Sequence, residues 1–200
     1  MTFATGIIDA VSFFHLNVFT AYMTGTVVLL GGQLATGLSH ESIKGAVALI
    51  AFILGGIIGG RLVRKQFSKQ HFLTCTLPWV AALIIIAAVI GVVSDHEFTK
   101  YFVILFLGLA TGLQNSASRH TNVPDMMVPA ATMIIHGLAH DSSLAGGKKE
   151  RQGRRLMAVL CIAAGAAAGA AISAWSICAA LVTAAALILL AAVLSYRLLK

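Results

Sequence analysis

The sequence predicts an all-α polytopic membrane protein built from two inverted three-span repeats, and three observations predict it. First, 58% of the 200 residues are hydrophobic and 10% are charged, with a mean hydropathy of +0.91, whereas soluble domains carry about 25% charged residues. Second, residues 5–12 (TGIIDAVS) align without gaps with residues 111–118 (TGLQNSAS). Third, the basic residues cluster in short loops between apolar segments, which is typical of cytoplasmic loops. Because an internal repeat decides architecture, we predict one transmembrane domain, 1–200, with repeat halves 1–98 and 99–200.

Each half is predicted to contain a polar broken segment, a short segment, a small-residue helix and a plain apolar helix. The predicted segments are 2–14, 18–38, 45–63, 72–94, 101–118, 126–139, 156–175 and 176–199. Segments 2–14 and 126–139 are short for a full span, which needs about 20 residues. Segment 18–38 contains Thr24-Gly25-Thr26, which could unwind and expose backbone groups or could pack as a small-residue face. We therefore expect broken or re-entrant first helices in both halves.

The charges of the loops predict six net crossings. The basic loops 61–71 and 140–155 both belong in the cytoplasm by the positive-inside rule. Segment 72–94 then leads out of the cytoplasm, so an odd number of crossings must separate Lys100 from Lys148. Segments 101–118 and 126–139 therefore make one net crossing together. By the repeat, segments 2–14 and 18–38 also make one. Each half then crosses three times and the halves are inverted, whereas eight crossings would place loop 140–155 outside.

Two small-residue helices are expected to pack closely against neighbours, because Gly-xxx-Gly spacing lets helix backbones approach in lipid. The residues are Gly55, Gly56, Gly59, Gly60, Gly165 and Gly169. We expect Gly56, Gly59, Gly165 and Gly169 to face other helices rather than lipid.

Polar residues inside the apolar segments predict a site. Asp9 is an acid within an apolar segment, and a carboxylate at bilayer depth costs about 2.5–3.5 kcal/mol, so it should face a partner or a cavity. It could carry a proton or a coupling cation. Alternatively, it is a structural carboxylate that pairs with Arg119 or Arg61 or caps a helix end.

The repeat places Asp9 on Asn115, and Thr24 falls on Thr132. The candidate substrate or coupling-ion residues are Asp9, Ser12, Thr24, Gly25, Thr26, Gln114, Asn115, Ser118, Arg119 and Thr132. An inverted two-fold axis should bring Asp9, Thr24, Gly25, Gln114 and Asn115 together near the bilayer midplane. The alternative is plain interhelical hydrogen bonding, worth about 0.6 kcal/mol per pair. Arg119, with Pro124-Asp125, forms either a cytoplasmic turn or an anion contact.

The motifs GIIDAVSFF, MTGTVVLLG and LATGLQNSASRHTNVPD resemble the YoaK-like family of small bacterial membrane proteins, a family of unknown function. The resemblance covers nearly the whole chain and implies about six transmembrane helices in a bacterial inner (plasma) membrane, without implying an activity. Thr26 stands where the family often has Asn, and Thr132-Met133-Ile134 stands where Thr-Gly-Thr is expected. The two halves are therefore not expected to keep equal ligand sites.

The leading hypothesis is a small-solute transporter or permease, proton-coupled if Asp9 is protonatable. The alternative is a non-transporting membrane scaffold or partner subunit. We expect no enzyme, no catalytic residue, no metal and no cofactor, because no nucleophile–base pair, metal cluster or phosphate loop appears. The expected partners are the lipid bilayer and an unidentified small solute, with no nucleic acid and with a homo-oligomer as an option.

Overall fold

The computed structural model of the protein describes residues 1–64, 69–93, 96–121, 131–142, 146 and 152–198. These residues form eight α-helices and no strand: α1 (Thr2–Leu16), α2 (Met23–Thr36), α3 (His40–Arg64), α4 (Lys69–Val93), α5 (Glu97–Thr121), α6 (Ala131–His140), α7 (Gln152–Ser173) and α8 (Ile177–Leu198). Five helices, α3, α4, α5, α7 and α8, contain segments long and apolar enough to cross a membrane, and α1 is a shorter apolar helix. The prediction of an all-α polytopic membrane protein is confirmed at this level.

The break in the second predicted segment comes earlier in the chain than expected. Helix α1 ends at Leu16, its C-cap Asn17 has the left-handed backbone values φ 58° and ψ 27°, and α2 begins only at Met23. Residues 17–22, called the linker below, are not helical. Of the two alternatives for Thr24-Gly25-Thr26, unwinding is not observed, because all three residues lie in the first turn of α2.

Helices α1 and α7 pack with their backbones in direct contact. A Cβ atom added at Gly165 would overlap the carbonyl of Phe3, and one added at Gly169 would overlap the backbone of Ile7. Gly6 fits in the same way against the backbone of α7. Gly165 and Gly169 therefore lie at a helix interface, where only glycine allows this approach.

Helices α3 and α5 form an equivalent pair. Cβ atoms at Gly55 and Gly59 would overlap the Leu109 carbonyl and the Ser116 side chain. Gly56 and Gly60 differ, because nothing lies within 4 Å of an added Cβ. At about 100° per residue, Gly55 and Gly59 point into the interface, and Gly56 lies at its edge, where its carbonyl accepts a hydrogen bond from Ser116 of α5.

The set of packed helix pairs repeats between the two halves. Helix α1 packs on α7 as α5 packs on α3, and α8 packs on α1 as α4 packs on α5. The pairs α2–α3 and α6–α7 correspond in the same way, and α1–α5 and α4–α8 join counterpart helices. This packing is unchanged when each helix is exchanged with its counterpart in the other half.

Buried apolar residues of α1, α4, α5 and α8 form the core, with Ile7, Leu77, Ile104 and Leu181 fully buried. Large apolar side chains cover much of the outer surface, including Val28, Trp79, Val92 and Met133. An apolar surface of this extent fits a lipid environment.

Candidate functional site

The linker folds back against the middle of α1 and is held there by Asp9. The backbone N–H groups of Thr20 and Ala21 both donate to Asp9 Oδ1, at 3.1 and 2.8 Å. Within the described residues, Asp9 forms no ion pair with Arg61 or Arg119. Asp9 is therefore a hydrogen-bonded carboxylate, whose partners are N–H groups of the linker and not those of a helix end.

Three hydroxyl groups complete the anchoring of the linker. Ser12 and Thr20 share a buried hydrogen bond of 2.9 Å. Thr26 Oγ1 donates to the Phe19 carbonyl at 2.6 Å and accepts from the Phe19 N–H at 3.1 Å. In the bilayer, non-helical backbone persists only where protein groups or a cavity satisfy it, and these side chains satisfy the linker.

The second half contributes two polar contacts through α5. Thr111 Oγ1 donates to the Thr20 carbonyl at 2.5 Å, and Gln114 Nε2 donates to Thr5 Oγ1 at 3.0 Å. Thr5 and Thr111 are equivalent positions of the sequence repeat. The two halves are therefore in contact at the place where these aligned threonines lie, one on α1 and the other on α5.

A small polar cavity, called the junction cavity below, lies at this meeting point. It has room for about one water molecule. The buried Gln114 Oε1 has no hydrogen-bond partner within the described part of the chain. The cavity is lined by Met1, Thr2, Thr5, Ala21, Thr111, Gln114, Asn115 and Ser118.

Four predicted residues lie away from the junction cavity. Thr24 is exposed on α2, and Thr132 is exposed on α6. Gly25 lies against the rings of Phe19 and Tyr22, and Arg119 is exposed near the end of α5. Gln114 and Asn115 line the junction cavity, and Asp9 reaches it only through Ala21 of the linker. Thr26, rather than Thr24 or Gly25, is the α2 residue that bonds to the linker. Pro124 and Asp125 lie outside the described residues.

Sequence reasoning missed Thr5, Thr20 and Thr111. Thr5 and Thr111 begin the two aligned Thr-Gly pairs, so the repeat itself carried the signal for them. Thr20 had no such signal, because its role depends on how the linker folds back.

A wide groove, called the α3–α5 groove below, has a volume of about 1240 Å³. Asn115 lines both this groove and the junction cavity. Basic side chains dominate the charge of the groove. It is lined by Phe52, Ile53, Gly56, Ile57, Gly60, Arg61, Val63, Arg64, Gly112, Asn115, Ser116, Arg119 and His120.

A charge network joins the starts of α3 and α5. The Lys44 ammonium group, whose side chain is 4% exposed, lies 2.9 Å from Glu41 and 3.0 Å from Glu97. Lys100 also pairs with Glu97. The first turns of these two helices are thereby fixed side by side.

Comparison with known proteins agrees with the resemblance noted in the sequence. A family model described as "Protein of unknown function (DUF1275)" matches residues 1–194. The UPF0700 transmembrane protein YoaK of Bacillus subtilis (strain 168) is 28% identical over 144 residues. That match covers 69% of this chain and 62% of the relative, so the chain spans less than two thirds of the relative's length. No solved structure matches the chain.

Proposed function

The chain belongs to the DUF1275 family of unknown function, and from this premise we propose that it is a small-solute transporter or permease of the bacterial inner membrane. The observation that carries the proposal is the linker, a non-helical segment held inside the bundle where the two halves meet. Transporters built from inverted repeats bind their solutes at such junctions, beside discontinuous helices.

The directions of α1 and α5 support an inverted relation between the halves. The junction cavity joins Met1 and Thr2, at the start of α1, to Ser118, near the end of α5. A second crevice joins Leu16, at the end of α1, to Thr99, near the start of α5. These counterpart helices therefore run in opposite directions, as an in-plane two-fold axis requires.

The same neighbours support six crossings. Helix α1 carries the chain to the end where α5 starts, and α3 starts at that end too, because Lys44 pairs with Glu97 and His40 contacts Tyr101. Helix α2 therefore adds no net crossing. If α6, the counterpart of α2, likewise adds no net crossing, then α1, α3, α4, α5, α7 and α8 make six crossings.

Charge supports the orientation. Arg61, Arg64 and Arg119 lie at one end of the bundle, whereas Lys44 and Lys100 lie at the other end, where both pair with Glu97. The positive-inside rule then assigns the loops 61–71 and 140–155 to the cytoplasm. Parts of both loops lie outside the described residues.

We assign Asp9 the coupling role in this transporter. Its ionised oxygen is a strong acceptor for the linker N–H groups, and charge-assisted hydrogen bonds of this kind are about twice as strong as neutral ones. Binding of a proton weakens both contacts and loosens the linker beside the junction cavity. Proton binding and opening of the cavity are thereby linked.

One observation favours the second candidate function, a non-transporting scaffold or partner subunit. The junction cavity has room for about one water, and Gln114 and Thr5 in its wall bond to each other. Such groups could serve only to lock the helices.

Thiol labelling separates the two functions. Ala21 is 1% exposed and lines the junction cavity, so Ala21→Cys is introduced after Cys75, Cys161 and Cys178 are replaced by Ala. A transporter must open this cavity to each face in turn, so a small membrane-impermeant thiol reagent should react in both right-side-out and inverted vesicles. Trp175→Cys, at a residue that is 94% exposed, is the control. Its thiol should react in right-side-out vesicles and stay protected in inverted vesicles. Protection of the Ala21→Cys thiol in both vesicle types would favour the scaffold.

A further inference from the structure

We propose that the α3–α5 groove is the cytoplasmic entrance of this transporter and that it binds small anions bearing phosphate or carboxylate groups. The inference rests on the proposed function and names its substrate class. The groove volume of about 1240 Å³ exceeds the roughly 300–1,000 Å³ of ordinary small-molecule sites. A hydrated small solute therefore fits.

The charge of the groove selects anions. Arg61 and Arg64 extend from the last turn of α3, and Arg119 from the last turns of α5. Within the described part of the chain, none of these guanidinium groups forms an ion pair, and the groove lining contains no acidic residue. A planar guanidinium group matches carboxylate and phosphate geometry. Three such groups beside one groove attract these anions.

An orphaned polar atom gives a second, independent indication of a ligand. His120 Nε2 is buried and has no hydrogen-bond partner within the described residues. The ring is held edge-on against Phe72, with centroids 5.2 Å apart, and it lines the groove. Buried polar atoms are normally paired, and an oxyanion accepting a hydrogen bond from Nε2 would satisfy this one.

The groove leads to the junction of the two halves. Asn115 lines both the groove and the junction cavity, and in the repeat it occupies the position equivalent to Asp9. At this position the second half carries a neutral amide, whereas the first half carries a carboxylate. The path from the arginines to the junction therefore lacks a fixed negative charge at the point where an anion would have to pass.

Anionic lipid headgroups share this chemistry, but the inward path favours a free solute. A headgroup tethered to acyl chains could reach Arg61 and Arg64 at the end of α3, while Asn115 lies further inside. Ser116, whose hydroxyl donates to the Gly56 carbonyl, provides a second polar group along this path. The two sources are separated by testing free anion and lipid independently.

The test is binding of inorganic phosphate and of succinate to the delipidated full chain in neutral detergent, measured by calorimetry. We expect both anions to bind the wild type. Arg64→Gln and Arg119→Gln should each weaken binding at least about tenfold, since each removes a charge-assisted contact. Arg197→Gln, at an exposed residue of α8 outside the groove, is the matched control and should leave binding unchanged. All three variants should keep the wild-type unfolding temperature, which excludes misfolding as the cause.

The outcomes separate this inference from the proposed function. Absence of binding to both free anions overturns the inference, and so does an equal effect of Arg197→Gln. Binding of phosphatidylglycerol alone, weakened by Arg64→Gln, would make the groove a lipid site and would also overturn it. Labelling of Ala21→Cys from both faces would still support transport in these cases. Anion binding with a protected Ala21→Cys thiol would instead support the groove without transport.

Discussion

A single methyl group at Gly165 should loosen the contact between α1 and α7. In Gly165→Ala the new Cβ would overlap the Phe3 carbonyl oxygen and would lie 2.9 Å from the Phe3 carbonyl carbon and 3.1 Å from its Cα. All three atoms are helix backbone, so no side chain can rotate away. The two helices must move apart, and the neighbouring contact between Gly169 and Ile7 weakens with them.

The expected loss of stability follows from two opposing effects. Overpacking costs about 1–3 kcal/mol, and the rigid neighbours place this site at the upper end. Alanine gains about 1 kcal/mol over glycine in helix propensity. We therefore expect Gly165→Ala to lower the free energy of unfolding by about 1–2 kcal/mol, and leucine at Gly59 or Gly165 to reduce the folded yield.

Gly56→Ala and Gly60→Ala are the matched controls. No heavy atom lies within 4 Å of an added Cβ at either residue, so only the propensity gain of up to about 1 kcal/mol remains. Reversible unfolding in mixed detergent micelles measures all variants on one scale. Equal stability changes for Gly165→Ala and Gly56→Ala, or an unchanged Gly165→Ala, would refute the packing described here.

Three further predictions concern charged groups. Asp9→Ala should lower the free energy of unfolding by about 2–3 kcal/mol, since two linker N–H groups lose their acceptor. Asp9→Asn keeps an oxygen for both N–H groups, so it should fold normally and should abolish pH-dependent flux. Flux of Asp9→Asn that keeps the wild-type pH dependence would contradict the coupling role. Lys44→Met should cost about 1–3 kcal/mol by leaving two carboxylates without their shared cation, and thermal unfolding that matches the wild type would contradict this. Hydrogen bonds from His140 and Arg155 hold the pKa of Asp141 below its ordinary 3.8. That stabilisation is present above pH 3.8 and is lost as the pH falls towards the lowered pKa of Asp141. Asp141→Asn should therefore flatten the pH dependence of the unfolding temperature in that acid range. An unchanged acid profile would count against the contacts of Asp141 with His140 and Arg155.

The sequence predicted the fold class and the family because both depend on long patterns. Hydrophobic segments of about 20 residues leave few structures besides membrane helices, and α3, α4, α5, α7 and α8 were all anticipated to within a few residues. The division of the chain into halves at 98 and 99 falls in the first turn of α5.

Local register was harder to predict than helix existence. Thr24-Gly25-Thr26 looked like the weak point of its segment because glycine disfavours helix. The break lies instead in the linker, because Asp9 accepts hydrogen bonds from Thr20 and Ala21, and this contact spans 11 and 12 residues of sequence. No local propensity reports it.

The interface face of α3 illustrates the same limit. The sequence offers Gly55, Gly56, Gly59 and Gly60 as two overlapping Gly-xxx-Gly pairs. Spacing alone does not decide which pair meets the neighbour. Contacts with Leu109 and Ser116 select Gly55 and Gly59 and leave the other pair beside the groove.

The inverted arrangement of the halves is the central claim, and the sidedness of two single cysteines tests it most directly. Arg64→Cys lies at the end of α3 and Gly153→Cys at the start of α7, both at exposed residues, in a chain without its native cysteines. Inverted halves with six crossings predict that a membrane-impermeant reagent labels both thiols in inverted vesicles and neither in intact cells. Labelling of the two thiols from opposite faces, as eight crossings or a parallel repeat would require, would contradict the account.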